Sequence, residues 1–268
     1  MSTTLVTDHP GWVRLPQGRA GETLRLVEQN GVPWLLHWQG EGLVMRPIGT
    51  SDAEAPAITY ASPLHLPRQP EQAPLVNALA GLGTLARVAT PDLWDSITAA
   101  IFRHFGRAKQ GPALYRSWCA AHGQQHETPA GLGALPPNAD EVLALSYEEF
   151  AATRTRTYRP ALRSAARAYL VHGEEWAALG PDELFKALCD VPRLGEWTAA
   201  AAVADHTGDH SLYPHGDKAL RTRARRALPG ISLPRDDAEF VALWRSWAPD
   251  RTQLHTLTLF TLTWGSHA

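Results

Sequence analysis

The spacing of apolar residues changes near residue 73, and this change constrains the fold more than any other feature. Before it, residues 11 to 48 hold short alternating or apolar runs, TLRLVEQNG and VPWLLHWQGEGLVMRPIG, broken by the turn signals NG and GEG. Residues 49 to 73 are rich in Pro, Ala and Ser, which is typical of irregular connecting structure. After residue 73 the spacing is helical to the end of the chain.

Start and stop signals divide the second part of the chain into successive helices. Thr90 followed by Pro91 predicts a Thr cap with Pro in the first helical position, and Gly123 and Gly173 each end a later helix. We therefore predict a mostly α-helical α+β chain with a small N-terminal antiparallel β region. We place a β-containing domain and its linker at residues 1–72 and a helical domain at residues 73–268.

Composition and motifs argue against several classes of protein. The 268 residues contain no apolar run long enough to span a bilayer, and the start, MSTTLVTDHPGW, lacks the features of a signal peptide. Cys119 and Cys189 form no CxxC pair, and the twelve His residues form no HExxH motif. The sequence therefore predicts a reduced, cytoplasmic protein that uses no metal and no other cofactor.

Positive charge is clustered although the net charge is only −2. Most of the clustered charge lies in two segments, RTRTYRPALRSAAR at 154–167 and KALRTRARR at 218–226. Such runs are most often solvated helix faces. Two basic helices in one half of the chain also leave room for a local surface that binds an anionic ligand.

A single carboxylate, Asp217, stands directly before the second basic segment. Asp is a favoured N-cap residue because its side chain accepts hydrogen bonds from the first turn of a helix. A fixed carboxylate can also stabilise positive charge that develops during a reaction. The two roles are compatible, and the local sequence by itself favours capping.

A tight turn, VPRLGEW at 191–197, joins two predicted helices. Backbone N–H groups at the start of the second helix would form a site for a phosphate oxygen. An ordinary pair of antiparallel helices in a protein core gives the same local pattern. The second helix leads through the loop GDHSLYPHGD to Asp217.

This ordered set of segments resembles the helix–hairpin–helix DNA glycosylases that have a Gly/Pro-rich loop ending in a catalytic Asp. It is most similar to their 3-methyladenine DNA glycosylase II branch. The family pattern L-P-G-I-G-x-W-T-A, a loop and P-x-G-D corresponds here to VPRLGEWTA at 191–199 and PHGD at 214–217. Flanking segments extend the resemblance to about residues 75–265, and an N-terminal β domain is also typical of this branch.

The resemblance implies a monofunctional DNA glycosylase of base excision repair. Such an enzyme hydrolyses the N-glycosidic bond of alkylated purines, of the 3-methyladenine and 7-methylguanine type, in DNA. Asp217 would stabilise the oxocarbenium ion and activate the attacking water. Members that also cut the backbone carry a Lys, which forms a Schiff base with the sugar, where this chain has Trp197. The resemblance therefore implies no AP-lyase activity.

The resemblance also implies the partner and the setting. The partner would be double-stranded DNA with a damaged base, and no membrane would be involved. We expect a monomer in the cytoplasm, associated with the nucleoid.

Base recognition is implied for five residues. Trp197 would stack on the electron-poor base, and Phe105 aligns with the apolar wedge of the stretch RHFGR at 103–107. Core packing accounts for Phe105 equally well. His104 stands where the family usually has Gln. Ala201 and Leu259 match positions at which the branch often has aromatic residues, so the pocket would be roomier or set for another lesion.

DNA contacts are implied for the turn and for three residues beyond it. Arg193 replaces the first hairpin Gly, so it either forbids the usual turn conformation or adds a phosphate contact. Lys218 is a phosphate contact or a surface charge. The other predicted DNA-binding residues are Leu194, Gly195, Thr198 and Arg251.

Two other functions remain as alternatives. The first is a DNA-binding protein that kept the hairpin and lost the chemistry; Arg193, the altered wedge and the reduced number of pocket aromatics support it, and the retained Asp217 opposes it. The second is an N-glycosidase for a nucleoside or a different modified base. The modest net charge of −2 favours this second alternative, and the basic helices oppose it.

Overall fold

The computed structural model describes residues 2–15, 21–40, 42–49, 52–105, 110–230 and 232–267. The chain forms two compact units, and each is built from separate stretches of sequence. The first unit comprises Met1–Asp8, Ile58–Val88 and Gly208–Ala268, and the second comprises His9–Ala57 and Ala89–Thr207. The division expected after residue 72 lies inside the first unit, so it does not separate the two compact units.

The described residues form nine strands and eleven α-helices. The strands are β1 (Thr3–Leu5), β2 (Val13–Arg14), β3 (Thr23–Gln29), β4 (Val32–Trp38), β5 (Leu43–Pro47), β6 (Ile58–Ala61), β7 (Thr84–Val88), β8 (Gln125–Thr128) and β9 (Gly131–Ala134). The helices are α1 (Ala73–Ala80), α2 (Leu93–Phe105), α3 (Gly111–His122), α4 (Ala139–Ala144), α5 (Tyr147–Ala152), α6 (Arg159–Ala177), α7 (Pro181–Cys189), α8 (Glu196–Thr207), α9 (Lys218–Ala227), α10 (Asp237–Trp247) and α11 (Arg251–His267). This confirms the predicted α+β class.

The antiparallel sheet of the second unit has the order β2-β3-β4-β5. β3 and β4 are joined at Asn30 and Gly31, which both have positive φ, as the NG signal predicts. Val27 and Leu36 are fully buried on these two strands. The strands predicted within residues 11 to 48 are therefore confirmed.

Five strands lie outside the region where strands were predicted. In the first unit β7 pairs with β1 in parallel and with β6 in antiparallel orientation, and in the second unit β8 and β9 form a hairpin. The predictions of irregular structure over 49–73 and of helices alone after residue 73 are thus wrong at these places. The strands are short, and β1 and β7 pair across many residues of sequence, so local periodicity does not reveal them.

Helix α2 is central to the second unit and packs against α8. Its cap is Asp92, whose two oxygens accept the N–H groups of Trp94 at 2.9 Å and Asp95 at 3.1 Å. The predicted Thr90 cap is therefore wrong, because the helix begins two residues after Pro91. Thr90 instead donates its backbone N–H to the carbonyl of Asp205 at 3.0 Å.

A polar network is buried in the second unit around Asp95. Its carboxylate accepts hydrogen bonds from Arg25 at 3.1 Å and from the Tyr115 hydroxyl, and His9 Nε2 lies 3.4 Å away. Burial opposes ionisation of this carboxyl, but His9, Arg25 and the Tyr115 hydrogen bond hold its pKa well below the usual range. The network ties β3, α2 and α3 together.

The first unit is built around α9 and α11, which pack against each other and against α1. Trp244 of α10 is fully buried, and its indole N–H donates to Thr258 Oγ1 of α11 at 3.0 Å. Within the described ranges, no helix has the length and apolar character needed to cross a membrane.

Candidate active site

The predicted hairpin is present in the second unit as α7, a turn and α8. The turn is closed by backbone N–H groups: Val191 donates to Leu188 at 3.2 Å, Leu194 to Val191 at 3.0 Å and Ala199 to Gly195 at 3.1 Å. Val191 and Leu194 are buried and anchor the turn. Arg193 and Gly195 are exposed, and a Cβ added at Gly195 would meet open space. The turn thus presents its backbone outward.

Arg193 has a φ of 73°, in the left-handed region that favours glycine. The chain therefore adopts a left-handed turn residue despite the side chain, and the prediction that Arg193 forbids such a conformation is wrong. The conformation costs about 1 kcal/mol for a residue with a Cβ. The exposed guanidinium leaves the second interpretation, a phosphate contact, as a prediction.

Two predicted DNA-binding residues near the turn have buried side chains. Leu194 is 4% exposed and Thr198 is 1% exposed. Because both side chains are buried, the DNA contact expected of these two residues stays a prediction for their backbone groups. Their backbone groups belong to the exposed turn and to the first turn of α8. Any contact they make with a phosphate has to go through backbone N–H groups.

Three residues predicted to bind the base lie together in the second unit. The His104 ring stands 5.2 Å from the Trp197 ring and 4.8 Å from the Phe105 ring, between centroids. Tyr158 continues the cluster, 6.1 Å from Phe105 and stacked on Phe102 at 4.6 Å. We call His104, Phe105, Tyr158 and Trp197 the ring cluster. It leads from the buried Phe102 to the surface.

Phe105 is 47% exposed at the last position of α2, whereas Phe102 one turn earlier is fully buried. The interpretation of Phe105 as a core residue is therefore wrong. Gly106 and Arg107, the rest of the predicted wedge stretch, lie outside the described residues. Burial lowers the pKa of His104, so its ring is neutral at neutral pH.

Ala201 and Leu259, predicted to line the base pocket, are both buried. Ala201 is 0% exposed on α8, within the fully enclosed run Ala199–Ala204, and Leu259 is 2% exposed on α11. Both side chains are covered in the folded chain, and their place in the base pocket stays a prediction. Small residues at this point of α8 allow close packing with α2.

Asp217 ends the loop that leads into α9 in the first unit. Its backbone N–H donates to the carbonyl of Pro214 at 2.8 Å, which closes a turn over Pro214–Asp217. Its side-chain Oδ1 accepts the N–H groups of Ala219 at 2.8 Å and Leu220 at 3.0 Å. The capping role is therefore confirmed. Because both cap bonds fall on one oxygen of a half-buried side chain, the cap also fixes the direction of the carboxylate.

Buried histidines hold the loop that carries Asp217. His210 is fully buried, its backbone N–H donates to His255 Nδ1 at 3.0 Å, and its Nε2 lies 3.6 Å from Asp8. His215 is 4% exposed. Burial, together with the charge of Arg245, lowers the pKa of His215 to about 4. Both side chains are part of the packing of the first unit rather than of a surface.

The basic helix α9 uses most of its arginines inside the first unit. Arg221 pairs with Asp237 and donates to the carbonyl of Arg235, Arg223 donates to Leu262, and Arg225 donates to Pro234 at 2.6 Å. These contacts hold α9 against its neighbours. Lys218 and Arg226 are exposed.

The structure leaves the predicted contacts of Lys218 and Arg251 as predictions. Lys218 is exposed at the first position of α9, which suits either a phosphate contact or a surface charge. Arg251 is half-exposed at the start of α11, and its Nε donates to Asp209 at 2.7 Å. A phosphate would have to share or replace that partner. Across the described parts of the chain, no group of three or more His, Cys, Asp or Glu side chains could hold a metal ion.

Comparisons with known proteins give a fold and no sequence family. No protein-family model and no curated protein matches the sequence. The 3-methyladenine DNA glycosylase from Archaeoglobus fulgidus matches the structure with a TM-score of 0.68 and 16% identity, over 96% of this chain and 90% of that one. The Clostridium acetobutylicum 8-oxoguanine glycosylase/lyase in complex with double-stranded DNA matches with a TM-score of 0.65 and 14% identity, over 96% and 88%.

The chain has the helix–hairpin–helix DNA glycosylase fold. A DNA-3-methyladenine glycosidase from Bacillus halodurans shares this fold with a TM-score of 0.51 and 16% identity, over 76% of this chain and 92% of that one. The comparisons confirm the fold that the sequence motifs implied, and at these identities they establish the fold alone.

The sequence did not predict that Tyr158 belongs to the ring cluster, or that part of the basic segment 154–167 lines a groove. Tyr158 joins the ring cluster although it lies far from Trp197 in sequence, and no local pattern marks it. Arg159, Arg163 and Arg167 line one groove of the second unit together with Arg193. Their spacing of four residues was a visible signal, because residues four apart lie on one face of a helix.

Proposed function

We propose that this chain is a monofunctional DNA glycosylase of base excision repair that hydrolyses the N-glycosidic bond of an alkylated purine in double-stranded DNA. The observation that carries the proposal is the Asp217 carboxylate. It ends a P-x-G-D loop, is directed by cap bonds to Oδ1, and belongs to a chain with the DNA glycosylase fold.

The chemistry needs a negative charge that is already in place. When the bond between base and sugar breaks, positive charge develops at C1′, and a carboxylate whose direction is fixed stabilises it without reorganising. The cap bonds from Ala219 and Leu220 supply that fixation for Asp217. The same carboxylate can accept a proton from the water that attacks C1′.

The ring cluster suits a cationic, electron-poor base. Trp197 offers an indole face for stacking, and such stacking strengthens when the base carries positive charge. His104 beside it is neutral at neutral pH because burial lowers its pKa, so it adds no repulsion. An alkylated purine is already a good leaving group, so the reaction requires no strong general acid.

Trp197 supports the absence of lyase activity. Cleavage of the DNA backbone through a Schiff base needs an amine nucleophile, and the indole of Trp197 provides none. The phosphate backbone would bind at the exposed turn, where Arg193, the backbone of Gly195 and the first N–H groups of α8 are presented. Lys218 and Arg251 would add contacts from the first unit.

Removal of an oxidised purine is a second candidate. The structural likeness to the 8-oxoguanine glycosylase/lyase, with a TM-score of 0.65, is nearly as strong as that to the 3-methyladenine enzyme, with 0.68. An 8-oxoguanine base is neutral, so it would gain less from the face of Trp197 than a cationic base would.

The test is release of free base from defined duplexes. We expect wild-type protein to release 3-methyladenine or 7-methylguanine from methylated duplex DNA and to leave the strand uncut, with no covalent adduct trapped by borohydride. Release of 8-oxoguanine alone would move the assignment to the second candidate. A trapped adduct would contradict the monofunctional mechanism. Duplex binding without release of any base would favour the alternative of a DNA-binding protein without chemistry.

A further inference from the structure

A groove of about 940 Å³ runs along α6 in the second unit, beside the hairpin turn. One wall carries Arg159, Arg163 and Arg167 of α6, and the other carries Pro192 and Arg193 of the turn. We call these four arginines the arginine groove. Helix α6 lies within the span of the glycosylase resemblance, but neither of its two motifs, VPRLGEWTA and PHGD, includes this helix.

The three α6 arginines form a row on one face of the helix. Residues four apart lie on the same face of an α-helix, and a rise of 1.5 Å per residue sets the row's length at about 12 Å. One strand of duplex DNA has a phosphate about every 3.4 Å along the helix axis. Measured along the axis of the duplex, the row therefore covers about three to four phosphate spacings of one strand.

Two of the three α6 arginines have partners that hold them in place despite the repulsion along the row. Burial lowers the pKa of Arg163, and the charges of Arg159 and Arg167 lower it further. Arg163 donates to the carbonyl of Leu143 at 2.5 Å, and the guanidinium of Arg159 lies 5.9 Å from the centre of the Phe150 ring. Such a row of positive charges repels itself in the free protein, and a polyanion bound along the row relieves that repulsion.

The groove also holds two acidic residues. Glu175 lies 3.6 Å from His172, about two turns beyond Arg167 on α6, and Asp190 precedes the hairpin turn. Four arginines therefore face two carboxylates among the residues that line the groove, which leaves an excess of positive charge. Arg193 makes the groove continuous with the exposed turn to which we assign a phosphate contact.

We propose that the arginine groove binds the backbone of one DNA strand and so extends the DNA interface from the hairpin turn along α6. This proposal rests on the proposed function, because it takes duplex DNA as the partner. It adds a sequence-independent contact: Arg159 and Arg167 neutralise phosphates, and the affinity they contribute falls as salt rises.

The test compares two double variants that remove the same charge. Arg159→Gln with Arg167→Gln changes the groove, and Arg14→Gln with Arg46→Gln changes two exposed arginines on β2 and β5 of the same unit. Binding to an undamaged duplex is followed by fluorescence anisotropy over a range of salt concentrations, and urea unfolding checks that each variant is folded. Arg167→Glu alone, at an exposed position, serves if the groove double variant does not fold.

We expect the groove double variant to bind about tenfold or more weakly at 0.1 M salt, with a plot of log affinity against log salt that is flatter by about 1 to 2. The control should keep the wild-type slope. A groove variant with the wild-type slope, in a protein that still releases base, would overturn the arginine groove and leave the proposed function intact. Absence of duplex binding by the wild-type protein would overturn both.

Discussion

Phe102 and Phe105 are the same residue type one turn apart on α2, and they have opposite surroundings. Phe102 is fully buried, whereas Phe105 is 47% exposed beside His104. We expect Phe105→Ala to lower the free energy of unfolding by no more than about 1 kcal/mol, and the control Phe102→Ala to lower it by about 3–5 kcal/mol. If Phe105 is the wedge, its loss should slow base release from duplex DNA more than from single-stranded DNA, because only the duplex leaves a gap to fill.

Urea unfolding and base-release rates on the two substrates check this expectation. Equal slowing on duplex and single strand would assign Phe105 to base stacking instead. A stability loss as large as that of Phe102→Ala would restore the core interpretation.

Arg193 carries a conformational cost and an exposed charge at the same position. Because its φ is 73°, Arg193→Gly should relieve backbone strain in the folded chain, whereas the greater freedom of Gly in the unfolded chain opposes this gain. The free energy of unfolding should therefore stay unchanged or rise by up to about 1 kcal/mol. The same change should weaken duplex binding several-fold through the loss of a phosphate contact. Urea unfolding and anisotropy measure the two effects. A clear loss of stability would mean that the Arg193 side chain supports the turn.

At the scale of single residues, the sequence predicted the ring cluster only in part. The motif resemblance pointed to Trp197, His104 and Phe105, and the structure brings these three rings together. The buried surroundings of Ala201 and Leu259 were not predicted, because a motif match gives a position on a helix and not the packing around it. Tyr158 belongs to the ring cluster because its ring contacts that of Phe105 on α2. No local sequence pattern predicts this contact.

At the scale of elements, the cap of α2 makes stability depend on pH. Burial, reinforced by the charge of Asp95, raises the pKa of Asp92 to about 7 from 3.8. Between these values the folded chain holds a proton that the unfolded chain has lost, so this group lowers stability as pH rises from about 4 to 7. We expect Asp92→Asn, which keeps a capping side chain, to remove that decline.

Urea unfolding of wild type and Asp92→Asn at several pH values between 4 and 8 tests this expectation. The difference in stability between variant and wild type should move in favour of the variant as pH rises. A difference that stays constant across this range would mean that Asp92 titrates normally in the folded state.

The start of a helix was predicted correctly where the sequence offered a single capping residue, and wrongly where it offered several. Asp217 had no competitor in PHGDKAL, and it caps α9 as predicted. In TPDLW the signals Thr90, Pro91 and Asp92 overlapped, and backbone geometry selected Asp92. The basic segment of α9 was ambiguous for a similar reason, because composition alone does not say which arginines find carbonyl and carboxylate partners nearby.

At the scale of the whole molecule, the first unit should lose stability in mild acid. Burial lowers the pKa of His215 and of His255 to about 4, from 6.5 in the unfolded chain; Arg245 adds to the effect on His215, and His210 to that on His255. Between pH 4 and 6.5 the unfolded chain binds more protons than the folded one, so this stability is present above pH 6.5 and is lost as pH falls toward 4.

The variant His215→Gln should flatten this part of the pH profile, even if it lowers stability overall. Urea unfolding between pH 4 and 7 measures the slope, and His37→Gln, at a half-buried position of β4, serves as a matched control. An unchanged slope in His215→Gln would show that other groups cause the loss of stability in acid.

The division into two interleaved units could not be read from the sequence. The first unit joins β1, near the start of the chain, to β7 and to helices that follow residue 208. The spacing of apolar residues becomes helical near residue 73 and stays so, which suggested two consecutive domains. Packing between segments that are far apart in sequence decides which of them pair. A local stretch of sequence does not contain this information.

The central claim is that the Asp217 carboxylate acts in catalysis as well as capping α9. Asn caps a helix as well as Asp does, so Asp217→Asn should keep the free energy of unfolding within about 0.5 kcal/mol of wild type, whereas Asp217→Ala should lose about 1 kcal/mol. Single-turnover release of 3-methyladenine or 7-methylguanine from methylated duplex decides the matter. We predict a fall of at least about 100-fold for Asp217→Asn, with duplex binding retained, because the charge facing C1′ is gone. Release at the wild-type rate by Asp217→Asn would contradict the account and reduce Asp217 to a helix cap.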